Sequence, residues 1–318
     1  MLFKESTLES YAAPLSDSED KQCKHTIEMI RDALKEIGYT DDQCEVRLLE
    51  SDTLAYAISM RNKFSVEKIH IFIQGSYANN TCVKHESDVD IAVVREDVNE
   101  SAFGENLNFF NVTNREKAII LKNKVEDILN KKFPYQVSRG NKSIKVKGNT
   151  YRKNADAVPC LSMKYYNKTF LGDYSTHHEG IVIFADDGTR TINFPKQHIA
   201  NGKKKNNSTK FYYKRMVRII KNIRNVMQTA GYKSSNNVSS FGLESLVWNV
   251  PDTYFTKYLC YGFVFEDVVS YLYRNTDRLM EYYEANGIKK LCSTQYDVDR
   301  YRAFIDDLYL FFQYDCRN

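Results

Sequence analysis

Two aspartates, Asp88 and Asp90, stand two positions apart at the start of an apolar segment that continues through Ile91 and Val94. Side chains alternate between the faces of a β-strand, so residues two apart point the same way. We therefore predict that these carboxylates project together, a few ångströms apart. Two carboxylates on one face repel each other unless a cation lies between them. The pair therefore predicts a divalent metal site.

A Gly-Ser pair, Gly75 and Ser76, ends a strand-like run and stands about a dozen residues before the aspartates. The backbone N–H groups of such a turn can bind phosphate, and a glycine lets the backbone approach the phosphates because it has no Cβ. Ser76 adds a hydroxyl donor for the β- and γ-phosphates. A metal site beside a triphosphate site predicts nucleotidyl transfer.

A third carboxylate, Asp156, lies in the short strand pattern Asn-Ala-Asp-Ala-Val-Pro-Cys. It is the only acidic residue between Asp127 and Asp173. An isolated Asp-x-Asp pair is often a solvated strand end. Here the pair is embedded in apolar residues, follows Gly-Ser and precedes a further aspartate, which favours a functional site.

The elements that position these residues predict an α+β fold, with a mixed sheet, flanking helices and a mostly helical second half. Strands are predicted over 67–74, 89–95, 135–138, 143–147 and 155–161, with a hairpin over 180–194. Helices are predicted over 20–38, 44–61 and 114–131, and then over 209–231, 240–249, 265–287 and 297–312. Residues 1–18 are predicted to be a loosely structured or capping arm, and 201–207 a polar loop.

This pattern divides the chain at about residue 200. Residues 1–200 are predicted to form a catalytic core with N-terminal helices, and residues 201–318 a helical domain that completes the nucleotide-binding cleft. The stretch from Gly188 to Leu243 has no acidic residue and twelve Lys or Arg. Such one-signed stretches suit a polyanion, either nucleotide triphosphates or a nucleic acid.

Composition narrows the class of protein. The seven cysteines form no Cys-x-x-Cys and the sequence begins with no signal pattern, which predicts reduced thiols and a cytoplasmic location. No apolar run approaches the roughly 18 residues that span a bilayer, so no membrane association is expected.

The Gly-Ser, Asp-x-Asp and third-Asp pattern resembles that of the polymerase-β-like nucleotidyltransferase superfamily. Two later segments, Val217–Lys221 and Ser239–Phe241, resemble the cyclic GMP-AMP synthase-like enzymes, the CD-NTases of bacterial anti-phage (CBASS) signalling and their animal relatives. This resemblance covers roughly residues 65–250. It implies that Lys221 and Ser240 bind phosphate and that Phe241 stacks on a base.

The resemblance implies attack of a ribose hydroxyl on the α-phosphorus of an NTP. Two Mg²⁺ ions, which Mn²⁺ can replace, would be held by Asp88 and Asp90, with Asp156 on the ion that lowers the pKa of the attacking hydroxyl. The implied product is a cyclic di- or trinucleotide made without a template from ATP and a second NTP such as GTP. The implied partners are a regulatory protein or RNA and an effector that binds the product.

Two alternatives remain. Enzymes that make linear oligonucleotides, or that modify an RNA or a small-molecule acceptor, use the same three aspartates. A non-catalytic nucleotide- or RNA-binding module predicts a broken triad or a lost Gly-Ser, and both are intact here. The sequence leaves open the bases, the 2′–5′ or 3′–5′ linkage, the ring size, the activation trigger, the oligomeric state and nucleic-acid binding by the basic face.

Overall fold

A computed structural model describes residues 1–42, 46–49, 53–83, 88–103, 108–109, 114–166 and 176–316. The chain divides into two compact units. The sheet unit comprises Ser16–Ala78 and Ser87–Lys196, and the helical unit comprises Met1–Leu15, Asn79–Glu86 and Gln197–Asn318. The N-terminal arm thus groups with the helices, whereas the sequence placed it with the catalytic core.

Until residue 195 the described elements are mostly strands with a few helices between them, and helices dominate afterwards. The strands are β1 Leu2–Lys4, β2 Tyr39–Asp41, β3 Arg47–Leu48, β4 Tyr56–Asn62, β5 Lys68–Ile73, β6 Val89–Phe103, β7 Asn108–Phe109, β8 Val137–Arg139, β9 Ile144–Val146, β10 Ala155–Tyr166, β11 His177–Phe184, β12 Arg190–Asn193 and β13 Gln313–Asp315. The helices are α1 Glu5–Ala12, α2 Asp17–Lys35, α3 Gly75–Ala78, α4 Arg115–Lys132, α5 Pro195–Ser208, α6 Tyr212–Thr229, α7 Ser240–Trp248, α8 Tyr261–Arg274 and α9 Gln295–Phe311. Short 3₁₀ helices cover Lys233–Asn236, Asp252–Phe255 and Thr276–Glu281.

The described strands of the sheet unit form one mixed sheet whose main path is β12-β11-β10-β6-β5-β4-β2. Beside this path β3 pairs with β4, β7 with β6, β9 with β10, and β8 with β9. Strands β6 and β10 run parallel at its centre, and both are lined with small and β-branched apolar side chains that are fully buried. The turn Asp186–Thr189 joins β11 to β12, as the Asp-Gly pattern predicts, and the Ala185 N–H donates to the Thr189 carbonyl. The predicted α+β fold is confirmed.

Helices α2 and α4 pack on the sheet and on each other. α2 begins with a capping box, in which Ser16 and Glu19 satisfy each other's exposed N–H groups. It buries one apolar face, on which Ile27, Ile30 and Leu34 are at most 2% exposed. These helices cover one side of the strands that carry the aspartates.

The helical unit is built around α6, whose apolar stripe of Met216, Ile220 and Ile223 is completely buried. Residues 1–18 are not loosely structured, which was one of the two forms predicted for this arm. β1 pairs in parallel with β13, and α1 packs against α6 with Leu8 fully buried. The apolar residues of the arm are therefore part of the core.

Three predicted elements are wrong. The described part of the predicted helix 44–61 contains β3 and most of β4, because β4 pairs along its length with β5; residues 44, 45 and 50–52 lie outside the described residues. The predicted loop 201–207 is helical: α5 begins with Pro195, and its lysines are good helix formers. The predicted helix 265–287 ends at Arg274, where Asn275 closes α8 and a 3₁₀ turn follows.

In the part of the chain that the structure describes, no helix combines the length and apolarity needed to cross a bilayer.

Candidate active site

The structure brings the three aspartates together on one face of the central strands. Asp156 on β10 lies in register with Asp90 on β6, and Asp88 immediately precedes β6. Since residues two apart on a strand point the same way, Asp88 and Asp90 share that face. We call Asp88, Asp90 and Asp156 the aspartate row. Lys145 lies beside it on β9, where it pairs in register with Asp156.

The pKa values show how poorly the row tolerates three negative charges. Burial, followed by the charges of Asp156 and Asp88, raises the pKa of Asp90 to about 7. Burial also raises the pKa of Asp156, with Lys145 opposing and Asp88 adding to the effect. Like charges and desolvation both disfavour the ionised forms. Protonation of a carboxylate or a cation placed beside the row would relieve this repulsion.

The donor set fits a hard divalent cation. Oδ1 of Asp156 is buried and has no hydrogen-bond partner, and carboxylate oxygens are the ligands that Mg²⁺ prefers. Within the described residues no three His, Cys, Asp or Glu side chains are already arranged around one point as a metal cage. That agrees with the way in which Mg²⁺ is usually held, by one or two carboxylates together with substrate phosphates and waters. Asp88, Asp90 and Asp156 are therefore the residues that would hold the ion.

Gly75 and Ser76 form the first residues of the single-turn helix α3, which follows β5 directly. The backbone at Gly75 is left-handed, with φ of +69°, and a Cβ there would lie 2.8 Å from Oδ2 of Asp90. The Gln74 N–H donates to the Asp90 carbonyl over 2.9 Å. Both the conformation and the space therefore require glycine at this position, next to the aspartate row. Ser76 is half-buried beside it.

Lys221, predicted to bind phosphate, lies in the helical unit and is 1% exposed. Its ammonium group donates to the Thr81 carbonyl over 2.9 Å and lies 3.4 Å from Oε2 of Glu244. Glu244 also accepts hydrogen bonds from Thr81 Oγ1 over 2.7 Å and lies 2.8 Å from His198 Nε2. We call Thr81, His198, Lys221 and Glu244 the Glu244 cluster. The phosphate role of Lys221 stays a prediction, and the structure gives this residue protein partners.

Ser240 and Phe241 open helix α7 in the same unit. The Ser240 hydroxyl lies 3.1 Å from the Arg224 guanidinium, and the Phe241 ring meets the His198 ring edge-on at 5.0 Å. Both side chains are partly exposed. The helix is capped by Ser239, whose hydroxyl accepts from the Gly242 N–H. The predicted phosphate and base contacts of Ser240 and Phe241 stay predictions.

Sequence reasoning missed Lys145, Ser143 and Glu244. Ser143 hydrogen-bonds to Asp156, which lowers the pKa of Asp156 and partly opposes its burial. The only signal for Lys145 was its place in the strand predicted over 143–147, and the register of that strand with Asp156 could not be read from the sequence. Glu244 is the first acidic residue after a long basic segment. This position in the sequence indicated neither that Glu244 is buried nor which residues it contacts.

A cavity of about 190 Å³ lies elsewhere in the sheet unit, near residues far along β6 and β10 such as Glu96 and Lys164. Its lining contains none of the three aspartates and neither Gly75 nor Ser76. We place the active site at the aspartate row instead, because metal and phosphate chemistry needs the carboxylates and the Gly-Ser turn rather than an enclosed volume.

Comparisons with known proteins agree on one family. Residues 57–158 match the nucleotidyltransferase domain, and residues 200–313 match the cGAS/DncV-like nucleotidyltransferase C-terminal helical domain. The cyclic GMP-AMP synthase CdnE03 of Staphylococcus schleiferi is 39% identical over 99% of this chain and 98% of its own length. A cyclic dipurine nucleotide synthase of Elizabethkingia meningoseptica is 33% identical over 93% and 92%.

Solved structures extend the agreement to the fold. The CdnE cyclic dinucleotide synthase of E. meningoseptica, with GTP and Apcpp, superposes with a TM-score of 0.73 at 31% identity, covering 98% of this chain and all of that one. The Rhodothermus marinus CdnE c-UMP-AMP synthase has the same fold, with a TM-score of 0.70, 24% identity and 99% of each chain covered. The chain therefore belongs to the cGAS/DncV-like nucleotidyltransferases, the CD-NTase family.

Proposed function

We propose that this enzyme joins two or three NTPs, without a template, into a cyclic oligonucleotide. The observation that carries this proposal is the aspartate row, in which Asp156 lies in register with Asp90 beside the left-handed Gly75. Each transfer forms one phosphodiester bond and releases one pyrophosphate, and the last transfer closes the ring. The S. schleiferi cyclic GMP-AMP synthase and the E. meningoseptica cyclic dipurine nucleotide synthase are both named for purine products, which supports ATP and GTP as the first substrates to test.

Each residue of the site is proposed to have a separate role. Gly75 lets the backbone come close to the triphosphate, and Ser76 donates its hydroxyl to the β- and γ-phosphates. Asp156 accepts the proton that the attacking ribose hydroxyl loses. Lys221 and Ser240 are proposed to contact phosphate, and Phe241 to stack on a base.

The family generally uses divalent metal ions. We propose two Mg²⁺ ions, replaceable by Mn²⁺, with Asp88 and Asp90 as ligands of both and Asp156 as a ligand of one. When bound, such ions lower the pKa of the attacking hydroxyl and neutralise charge on the leaving pyrophosphate.

Anti-phage signalling, a regulatory protein or RNA, an effector that binds the product and a cytoplasmic location stay predictions from the family resemblance. The division at residue 200 into a catalytic core and a helical domain is likewise proposed on sequence grounds.

The test is an incubation of the purified protein with all four NTPs and Mg²⁺ or Mn²⁺, without template, followed by phosphatase treatment and mass spectrometry. We expect a phosphatase-resistant cyclic oligonucleotide, whose mass identifies its bases and ring size. Digestion with linkage-specific nucleases then distinguishes 2′–5′ from 3′–5′ bonds.

The Asp88→Asn, Asp90→Asn double variant is the matched control and should give no product. Linear oligomers alone would contradict the cyclic product and favour an enzyme that extends an acceptor. NTP turnover that the double variant retains would contradict the assignment of the aspartate row.

A further inference from the structure

Lys145 is the basic residue that faces the predicted metal ligands. Its Nζ lies 3.8 Å from Oδ2 of Asp88 and 3.9 Å from Oδ1 of Asp156. Among the described residues, these are the ion pairs that the structure gives the three aspartates. A single ammonium group therefore balances part of the negative charge of the row.

The contact is loose enough to be replaced. Both distances exceed the 2.7–3.2 Å range of an N–H···O hydrogen bond, and the Lys145 side chain is 54% exposed. A half-exposed ammonium can regain water when it leaves, so its departure costs little desolvation. Lys122 differs, because it is 2% exposed and donates to the Gly140 and Asn141 carbonyls over 2.8 and 2.7 Å.

The backbone under Lys145 is fixed although its side chain is not. The buried Lys122 of α4 holds the turn between β8 and β9, and the Gly140 N–H closes that turn onto the Ser143 carbonyl over 2.8 Å. β9 then pairs with β10 so that Lys145 stands opposite Asp156. The fold thus presents the lysine to the row in a set position and leaves its ammonium free to move.

We propose that Lys145 is the resident counter-cation of the aspartate row: it holds the carboxylates while no metal is bound and gives way to the entering divalent cation. This rests on the proposed metal site and deepens it. Lys145 is a positioning residue, since it acts through the carboxylates. Its consequence is that the free enzyme binds divalent ions more weakly than three aspartates would alone, so that stable metal binding depends on the added charge of the NTP phosphates.

The test measures Mn²⁺ binding to the nucleotide-free protein by calorimetry or electron paramagnetic resonance, at pH 8 and low ionic strength. Lys145→Met should bind Mn²⁺ about 25-fold more tightly, because the ion no longer displaces an ammonium group from two carboxylates, and each such pair at about 4 Å in a largely hydrated site contributes about fivefold. The difference should shrink in high salt, because salt screens exposed charges. Lys145→Arg keeps the charge and should behave like the wild type.

The matched control is Lys142→Met, which removes the same charge from an exposed position in the β8–β9 turn and should leave Mn²⁺ affinity unchanged. Unchanged or weaker Mn²⁺ binding by Lys145→Met, while the wild type binds Mn²⁺, would overturn the counter-cation role alone. A raised KM for NTP with unaltered Mn²⁺ affinity would also overturn it, and would make Lys145 a phosphate ligand. Absence of Mn²⁺ binding by the wild type would overturn the metal site itself, and this proposal with it.

Discussion

The aspartate row and the Glu244 cluster both contain buried carboxylates, but the pKa values of these carboxylates are shifted in opposite directions. In the row, Asp90 and Asp156 sit beside another carboxylate and their pKa values are raised, with one loosely held lysine as partner. In the cluster, burial alone would raise the pKa of Glu244, but His198, Lys221 and Thr81 outweigh it and lower this pKa to about 2. The Glu244 charge is paired within the protein, whereas the charges of the row are only partly balanced by Lys145.

This difference separates a functional site from a structural one more clearly than burial does. A buried charge with its own partners strongly destabilises the protein only when one partner is removed. A group of like charges destabilises the fold as it stands, and is retained when a substrate or metal ion supplies the missing charge. Substitutions in the two regions should therefore have opposite effects on stability.

The largest effect should come from removing charge from the row. Asp88→Asn with Asp90→Asn should lower the rate of product formation by more than about 10³-fold, because metal ions provide several kcal/mol of transition-state stabilisation. Circular dichroism should show an unchanged fold, and the melting temperature should not fall. A double variant that keeps its activity would remove the distinction between the two regions.

Glu244→Gln should destabilise the protein by about 3–5 kcal/mol, because it removes the carboxylate charge that pairs with two buried bases. Urea unfolding followed by circular dichroism measures the change. Glu281→Gln is the control, since this glutamate pairs with Arg278 on the surface and is 63% exposed; its effect should stay below about 1 kcal/mol. Equal effects of the two substitutions would show that the Glu244 cluster adds no special stability.

The Lys221→Met variant tests whether Lys221 stabilises the Glu244 cluster or binds the NTP phosphates. We expect a loss of stability of about 3 kcal/mol, because the substitution leaves Glu244 and the Thr81 carbonyl without their donor. NTP affinity is measured on the same sample at a temperature where the variant is folded. A raised KM for NTP with unchanged stability would place Lys221 on the phosphates instead.

Asp90→Asn should stabilise the metal-free protein at pH 8 by about 2 kcal/mol or more, since each tenfold change in an acid constant corresponds to about 1.4 kcal/mol. The pKa of Asp90 is about 7 in the folded state and near its ordinary value of 3.8 when unfolded. Between these values the folded state binds more protons, so wild-type stability falls as pH rises. The advantage of the variant should appear above pH 4 and be complete above pH 7, as measured by melting temperature.

Phe241→Ala should have the smallest effect, a loss of nucleotide affinity of about 1–3 kcal/mol, because stacking of a base on an aromatic ring contributes that much. Phe241→Tyr keeps the ring and serves as the control. Calorimetric titration with a non-hydrolysable NTP analogue measures the change in nucleotide affinity. Equal affinity of the alanine and tyrosine variants would show that the ring does not stack on the base.

Much of the sheet unit could be predicted because its signals are local. Alternating apolar residues, the Asp-Gly turn and the Gly-Ser/Asp-x-Asp pattern fall within short windows, where strand geometry alone decides which side chains share a face. The helix predicted over 44–61 was wrong because a local signal was not enough there. A short apolar run fits both the helical and the strand periodicity until its partner strand is known. In 201–207 the polar composition hid a helix that begins with Pro195.

The sequence by itself determined the family, the α+β fold and the candidate metal-binding aspartates, because strand alternation and motif spacing require no knowledge of distant residues. Only the tertiary structure decided the partners of the charges. It placed Lys145 against Asp156 through the pairing of β9 with β10, and it buried Lys221 against Glu244, 23 residues away in the chain. Strand register and helix packing set these contacts, and both depend on burying apolar surface across the whole unit, which no local pattern records.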